Sequence, residues 1–214
     1  MISSLDIITI FDFIGVIACS IAATILALRT RFDFLGCILV SMVNAIGGGT
    51  IRDVFLDRHP LFWTTELSYV YVITITSIIT QFAINHYQTI NKKIDWLIRF
   101  FDAIGLAAFS VIGLKVALAY QMHPLIATLM AVLTSIAGGI MRDMICNQIP
   151  LVLQKEIYLS TSIIGSVVYF GLGKAGFDNS LQELVMLAVI FSLRMLALKY
   201  NWNLPPLRFD FKNH

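Results

Sequence analysis

Seven long apolar segments divide this chain, and short polar stretches separate them. The segments cover residues 7–28, 34–57, 66–84, 97–120, 124–147, 156–173 and 181–200. A helix that crosses the hydrocarbon core of a bilayer needs about 20 predominantly apolar residues. Because each segment has roughly this length, the pattern predicts an all-α integral membrane protein with seven transmembrane helices.

The pattern of the first half returns in the second half at a constant offset. Residues 11–66 recur as residues 101–156 without a gap, and 18 of the 56 positions are identical. A fixed period of this kind is the sequence signature of a repeated architecture. It predicts one membrane domain with a three-helix repeat in residues 1–90, a second in 91–180, and a seventh helix with a cytoplasmic tail in 181–214.

Three helices are an odd number of crossings, so the second copy begins on the opposite side of the membrane. The copies are then inverted repeats, which share a site near the bilayer midplane. The Lys and Arg residues in the loops and at the segment ends are concentrated on one side of the membrane, which the positive-inside rule places in the cytoplasm. Nine lie on this side: Arg29, Arg31, Lys92, Lys93, Arg99, Lys155, Lys199, Arg208 and Lys212. Two lie on the other side, Arg58 and Lys174. This predicts an external N-terminus and a cytoplasmic C-terminus.

Composition supports a membrane environment and argues against several classes of function. Of the 214 residues, 58% are hydrophobic and 13% are charged, whereas soluble domains carry about 25% charged residues. The net charge of +2 includes no basic run for nucleic acid. Three cysteines inside apolar segments, Cys19, Cys37 and Cys146, favour neither a disulfide framework nor a zinc site. With no catalytic constellation or metal-ligand spacing, we expect neither an enzyme nor a cofactor.

Glycines lie close to the centres of the second and fifth segments. These are Gly47, Gly48 and Gly49 in the second and Gly138 and Gly139 in the fifth. Glycine costs about 1 kcal/mol relative to alanine inside a helix, so we expect both helices to break or kink there and to line a pathway. The alternative is that the glycines allow close helix packing. Neighbouring polar residues are candidates for the pore lining: Ser41, Asn44, Thr50, Thr134 and Ser135.

Ionisable residues inside apolar segments need a partner or a function. We predict two structural ion pairs that tie each glycine-containing helix to the helix before it, Asp12–Arg52 and Asp102–Arg142. Asp53 and Asp143, which directly follow the two arginines, are alternative partners.

Lys115 breaks the repeat, since the first copy has Ile25 at the equivalent position. It either snorkels to the interface or lies in or beside the pathway and responds to voltage. We expect Arg194, near the cytoplasmic end of the last segment, to snorkel. Glu66 and Glu156 are expected to begin the third and sixth helices, where a carboxylate favours the helix dipole.

The two glycine motifs, Ala45–Asp53 and Ala137–Asp143, together with the inverted repeats, resemble prokaryotic members of the trimeric intracellular cation (TRIC) channel family. The resemblance implies a homotrimer in the plasma membrane, which in bacteria is the inner membrane. It implies one potassium-selective pore per subunit, lined by the kinked second and fifth helices, with Lys115 linked to voltage response. Potassium ions and membrane lipids would then be the only ligands.

The same family includes bacterial proteins described as glycine transporters. A secondary transporter of glycine or another small amino acid is therefore the alternative function, because broken helices serve both channels and carriers. A third interpretation is a structural membrane protein with a plugged core, against which the doubled glycine motif counts.

Overall fold

The computed structural model describes residues 4–86, 93–154, 157–200 and 202, and within them every regular element is a helix. The helices are α1 (Ser4–Arg29), α2 (Phe34–Phe55), α3 (Phe62–Thr65), α4 (Ser68–His86), α5 (Lys93–Ala119), α6 (Pro124–Ile145), α7 (Leu151–Gln154), α8 (Leu159–Lys174) and α9 (Asn179–Tyr200). The expected all-α fold is therefore observed. Glu156 lies outside these residues, as do Lys92, Lys155, Arg208 and Lys212 of the charge comparison.

Six helices of the described chain are long and apolar enough to cross a membrane: α1, α2, α4, α5, α6 and α9. Together they make this a multi-pass membrane protein. The helix in the predicted sixth segment, α8, has 16 residues. It is therefore shorter than the roughly 20 residues that a perpendicular crossing needs.

Four helices form the centre of the molecule. Helix α1 packs on α2 and α5, and α6 packs on the same two helices. Helix α4 covers α1 and α2, while α8 covers α6 and touches α5. Helix α9 packs on α5 and α8 and has no equivalent in the first half.

Local sequence sets the starts of the two glycine-containing helices. Asp33 precedes α2, and its side chain accepts a hydrogen bond of 2.7 Å from the backbone N–H of Gly36, which satisfies a free donor of the first turn. Pro124 begins α6, where its missing N–H costs no hydrogen bond. Each of these two helices therefore has fewer unsatisfied backbone N–H groups in its first turn.

The turns that flank these helices repeat their backbone conformation. Four non-glycine residues among those described have positive φ: Arg31 at 64°, Gln121 at 56°, Asp57 at 50° and Asn147 at 52°. They fall into two pairs that occupy equivalent positions in the repeated sequence. The left-handed turns before and after α2 thus have the same conformation as those before and after α6.

The helical structure continues without interruption through the glycines of α2 and α6, so the predicted helix breaks are wrong. The reason is that the glycines bring the two helices together. A methyl group on Gly48 would overlap the carbonyl oxygen of Thr134, and one on Gly138 would overlap the carbonyl oxygen of Asn44. Backbone packs directly against backbone, which is the role of small residues at helix crossings in membranes.

A second crossing, between α1 and α5, has the same reciprocal form. A methyl group on Gly15 would meet the ring of Phe109, and one on Gly105 would meet the sulfur of Cys19. In both crossings each contact turns into the other when the two copies of the repeat are exchanged. The glycines therefore fix how closely the two halves approach.

Replacing Gly48 or Gly138 by alanine is expected to destabilise the protein by about 1–3 kcal/mol, because the new methyl group overlaps a backbone oxygen that cannot move alone. Thermal unfolding of the detergent-solubilised protein measures the effect. Gly171→Ala in α8 is the matched control, since nothing lies within 4 Å of the added methyl group. There alanine is expected to be neutral or to stabilise the helix by up to about 1 kcal/mol. Equal stability of Gly48→Ala and Gly171→Ala would contradict the close crossing.

Candidate functional site

Two cavities enter the helix bundle near opposite ends of α1. The first has a volume of about 330 Å³ and is lined by residues that include Asp12 of α1, Arg52 of α2 and Glu66. The second has a volume of about 270 Å³ and is lined by residues that include Arg29 of α1 and Arg142 of α6. Polar groups therefore reach into the bundle from both ends.

A third and much smaller cavity, of about 10 Å³, lies at the crossing of the central helices. Its lining includes Cys19, Asn44, Thr134 and Gly138, and it shares Phe109 and Thr134 with the first cavity. A space of this size is close to the least that a single water molecule needs. The candidate pathway is therefore wide at its ends and nearly closed at its centre.

Three of the sequence-predicted lining residues surround this narrow point. Asn44 is buried, and its Nδ2 donates a hydrogen bond of 2.7 Å to the carbonyl oxygen of Cys19. Ser135 donates to the carbonyl oxygen of Val132 at 2.9 Å. The Oγ1 of Thr134 is buried and has no hydrogen-bond partner among the described residues. Thr134 thus presents a free hydroxyl group where the first cavity narrows.

The other two predicted lining residues lie elsewhere. Ser41 is fully buried in a hydroxyl cluster between α1, α2 and α4, with its Oγ 2.6 Å from the Oγ1 of Thr24 and 3.4 Å from the Oγ of Ser77. The Oγ1 of Thr50 donates to the carbonyl oxygen of Ile46 at 2.8 Å and accepts a hydrogen bond of 3.0 Å from Trp63. Neither residue is among those lining the three cavities.

The remaining motif glycines have different surroundings. Gly47 faces the side chain of Met141, and Gly49 lines the first cavity beside the ring of Phe62. Gly139 lines the central cavity, where an added methyl group would make only ordinary van der Waals contacts.

In the second copy, four side chains form a closed buried network. Arg142 lies 2.9 Å from a carboxylate oxygen of Asp102 and 2.8 Å from one of Asp143. The hydroxyl of Tyr158 donates to the other oxygen of Asp102 at 2.5 Å, and the backbone N–H of Leu151 donates to Asp143 at 3.0 Å. All four side chains are buried, so the arginine charge is neutralised within the protein.

The first copy is arranged differently. Arg52 pairs with Asp53 at 2.7 Å, and Asp53 also accepts a hydrogen bond of 3.3 Å from the backbone N–H of Phe62. Asp12 instead accepts a hydrogen bond from the hydroxyl of Tyr69. No ion pair within 4 Å joins Asp12 to Arg52 in the described structure. Asp53, the alternative partner, takes the place predicted for Asp12.

Sequence reasoning missed the two tyrosines because it aligned the copies without a gap. Tyr69 and Tyr158 make equivalent contacts, as do Phe62 and Leu151, and both pairs are one position off the constant offset of the repeat. The loop after Asp143 is therefore one residue shorter than its counterpart. A single gap after the Arg-Asp motif would have paired the tyrosines.

Two basic residues of the later helices have partners that the sequence did not reveal. The Nζ of Lys115 forms an ion pair with Glu183 of α9. Arg194 is almost fully buried, and its guanidinium lies 4.4 Å from the centre of the Tyr158 ring. The prediction that Arg194 snorkels is therefore wrong, because this contact holds it inside the bundle.

The glycine-transporter family model matches this chain twice, over residues 9–85 and 99–174. A membrane protein of Vibrio cholerae is 35% identical over 92% of this chain and 81% of its own length. The inner membrane protein YadS of Escherichia coli K12 is 34% identical over 93% of this chain and 95% of its own length.

Solved structures show the same fold. The crystal structure of the TRIC channel orthologue from Rhodobacter sphaeroides matches with a TM-score of 0.85 and 30% identity, covering 92% of this chain and 99% of that one. A structure that explains conductance through TRIC cation channels matches with a TM-score of 0.82 and 28% identity, covering 94% and 98% of the two chains.

The two copies differ in how strongly their charged residues are coupled, and double-mutant cycles measure this difference. For Asp102→Asn with Arg142→Met, we expect a coupling free energy of about 1–3 kcal/mol, because the charges are buried and in contact. For Asp12→Asn with Arg52→Met, we expect a smaller coupling, below about 1 kcal/mol, because no ion pair joins the two side chains. Equal coupling in the two cycles, measured by unfolding in detergent, would contradict the different geometries.

Proposed function

This chain belongs to the trimeric intracellular cation channel family, and on that premise we propose that it is a potassium-selective channel with one pathway inside each subunit. The observation that carries the proposal is the series of three cavities. Two of them enter near opposite ends of α1, and the narrow central space shares Phe109 and Thr134 with the first. The ion pair between Asp102, which lines the central space, and Arg142, which lines the second cavity, lies between those two spaces. We propose that conduction follows this series and that the ion pair closes it at the second cavity.

The chemistry of the lining suits a cation. Asp12 and Glu66 place carboxylates in the first cavity, which Arg52 and Arg58 also line. Both arginines lie beside Asp53, so the other two carboxylates are left to raise the local concentration of cations. At the centre, the oxygen of Thr134 and the side chain of Asn44 offer uncharged contacts. The carboxylate of Asp102 is occupied there by Arg142 and Tyr158. Weak contacts of this kind let an ion leave as readily as it enters.

The reciprocal contacts support an inverted repeat. Exchanging the copies converts the contact of Gly48 with Thr134 into that of Gly138 with Asn44. We infer a pseudo-twofold axis that passes through the crossing of α2 and α6, with α8 completing the seventh crossing. In a bacterial inner membrane, the excess of Lys and Arg on one side supports an N-terminus outside the cell and a C-terminus in the cytoplasm.

The similar TRIC channels, which are trimeric by name, support self-association of this chain. We propose a homotrimer in which lipid fills the remaining apolar surface. Exposed large apolar side chains on α4 fit either a lipid or a subunit contact: Tyr71, Ile75, Ile79 and Phe82.

The second candidate function is a carrier of glycine or another small amino acid. The description of the matching family model favours it. The central cavity of about 10 Å³ has room for about one water molecule and is too small for glycine. A carrier would therefore need a rearrangement that opens the crossing of α2 and α6.

Electrical recording separates the two functions. The purified protein in a planar bilayer is expected to give discrete single-channel steps, with reversal potentials that favour potassium over chloride and over sodium. Saturable glycine uptake into liposomes without such steps would reverse the assignment.

Thr134→Val tests the proposed narrow point. The substitution keeps the shape of the side chain but removes the unpartnered hydroxyl, so we expect single-channel conductance to fall by a factor of about 2 to 10. Thr128→Val on the same helix is the control, because its hydroxyl bonds to the carbonyl oxygen of Pro124 at 3.0 Å and lines none of the three cavities. Unchanged conductance in Thr134→Val would remove Thr134 from the pathway.

A further inference from the structure

Helix α9 places a carboxylate directly against Lys115 of α5. Glu183 has no exposed surface, and one of its carboxylate oxygens pairs with the Nζ of Lys115. Its other oxygen, Oε2, is buried and has no hydrogen-bond partner within the described chain. The side chain of Lys115 is 20% exposed. Glu183 is thus fully enclosed by the protein, whereas Lys115 lies at the edge of the buried region.

The pair lies outside the repeated core. At the position equivalent to Lys115, the first copy has Ile25, which is buried in an apolar cluster with Ala22, Cys37 and Val40. The first copy of the repeat therefore has no charge at this position. Lys115 and Glu183 occur only where α9 packs on α5.

Stability alone does not account for such a pair. An apolar pair of similar volume is often as stable as a buried ion pair, because removing two charges from water offsets their attraction. Losing only one partner is far more damaging, since it leaves a charge without compensation. The pair therefore constrains the two helices to keep their charges together.

Lys115 is connected to the proposed pathway through its own helix. Val116, the next residue, and Ile112, one turn earlier, both line the first cavity. Any movement of Lys115 therefore takes place beside residues that line the first cavity.

We propose that Glu183 is the counter-charge that holds Lys115 in its resting position, and that an applied voltage changes conduction by separating the two side chains. While paired, the two charges are neutral together and respond little to the membrane field. Once separated, Lys115 carries a full charge through part of that field, so its energy depends on voltage. This inference rests on the proposed channel function, and Glu183 acts in it as a positioning residue.

The test compares open probability against voltage in planar bilayers for the wild type, Glu183→Gln, Lys115→Met and the double variant. We expect Glu183→Gln to shift the ratio of open to closed channels at zero voltage by about tenfold or more, because separating the two side chains no longer breaks an ion pair. Its voltage dependence should keep the wild-type slope, since Lys115 remains the moving charge. Lys115→Met should flatten the slope, and Glu183→Gln should then have no further effect.

Two further variants separate this role from a loss of folding. Glu183→Asp keeps the negative charge and is expected to restore most of the wild-type midpoint. Asp178→Asn removes an exposed carboxylate at the start of the same helix and should leave the midpoint and the slope unchanged.

The outcomes are distinguishable. Channels of Glu183→Gln with the wild-type midpoint, or a shift that persists in the Lys115→Met background, would overturn the positioning role and leave the channel function intact. Wild-type channels without any voltage dependence would overturn it as well. Wild-type protein that gives no single-channel current would overturn the proposed function and, with it, this inference.

Discussion

The crossing of α2 and α6 is the constraint on which the other features depend. At Gly48 and Gly138 the backbone of one helix occupies the space that a side chain would need on the other. In a bilayer, helices are not driven together by the hydrophobic effect, so such close van der Waals packing has to supply much of the association energy. Once the crossing is fixed, the space beside Thr134 is narrow, because the two backbones are in contact there.

Continuous helices change the physical account of the pathway. Broken helices would expose backbone carbonyl and amide groups as ion ligands, but here those groups are occupied by helical hydrogen bonds. Side-chain oxygens such as that of Thr134 must then provide the polar contacts at the centre. The room for this side chain comes from Gly113 of α5, where an added methyl group would collide with the Thr134 hydroxyl.

The two copies share the contact between a tyrosine and an aspartate and differ in what the arginine contacts. In the second copy Arg142 pairs with both Asp102 and Asp143, and Arg194 of α9 lies against the Tyr158 ring. In the first copy Arg58, which is partly exposed, lies 3.6 Å from Asp53, and Asp12 faces the first cavity. One end of the candidate pathway is thus locked by buried charges, while the other keeps its carboxylates accessible to ions.

The sequence alone determined the helical membrane fold and the duplication, because the length of an apolar segment and the spacing of a repeat are read directly from a single chain. Of the five predicted lining residues, Asn44, Thr134 and Ser135 lie at the centre. The repeat also predicted the pair of Asp102 with Arg142 correctly, whereas Arg52 pairs with Asp53 and not with Asp12. Only the tertiary structure decided that the glycines pack rather than break their helices, since a glycine inside a helix permits both outcomes until its neighbour is known. The structure likewise decided the partners of Lys115 and Arg194. Glu183 and Tyr158 are distant in sequence from the residues they contact and fall outside the gap-free repeat. The partner of a buried charge is known only when folding has placed it beside that charge.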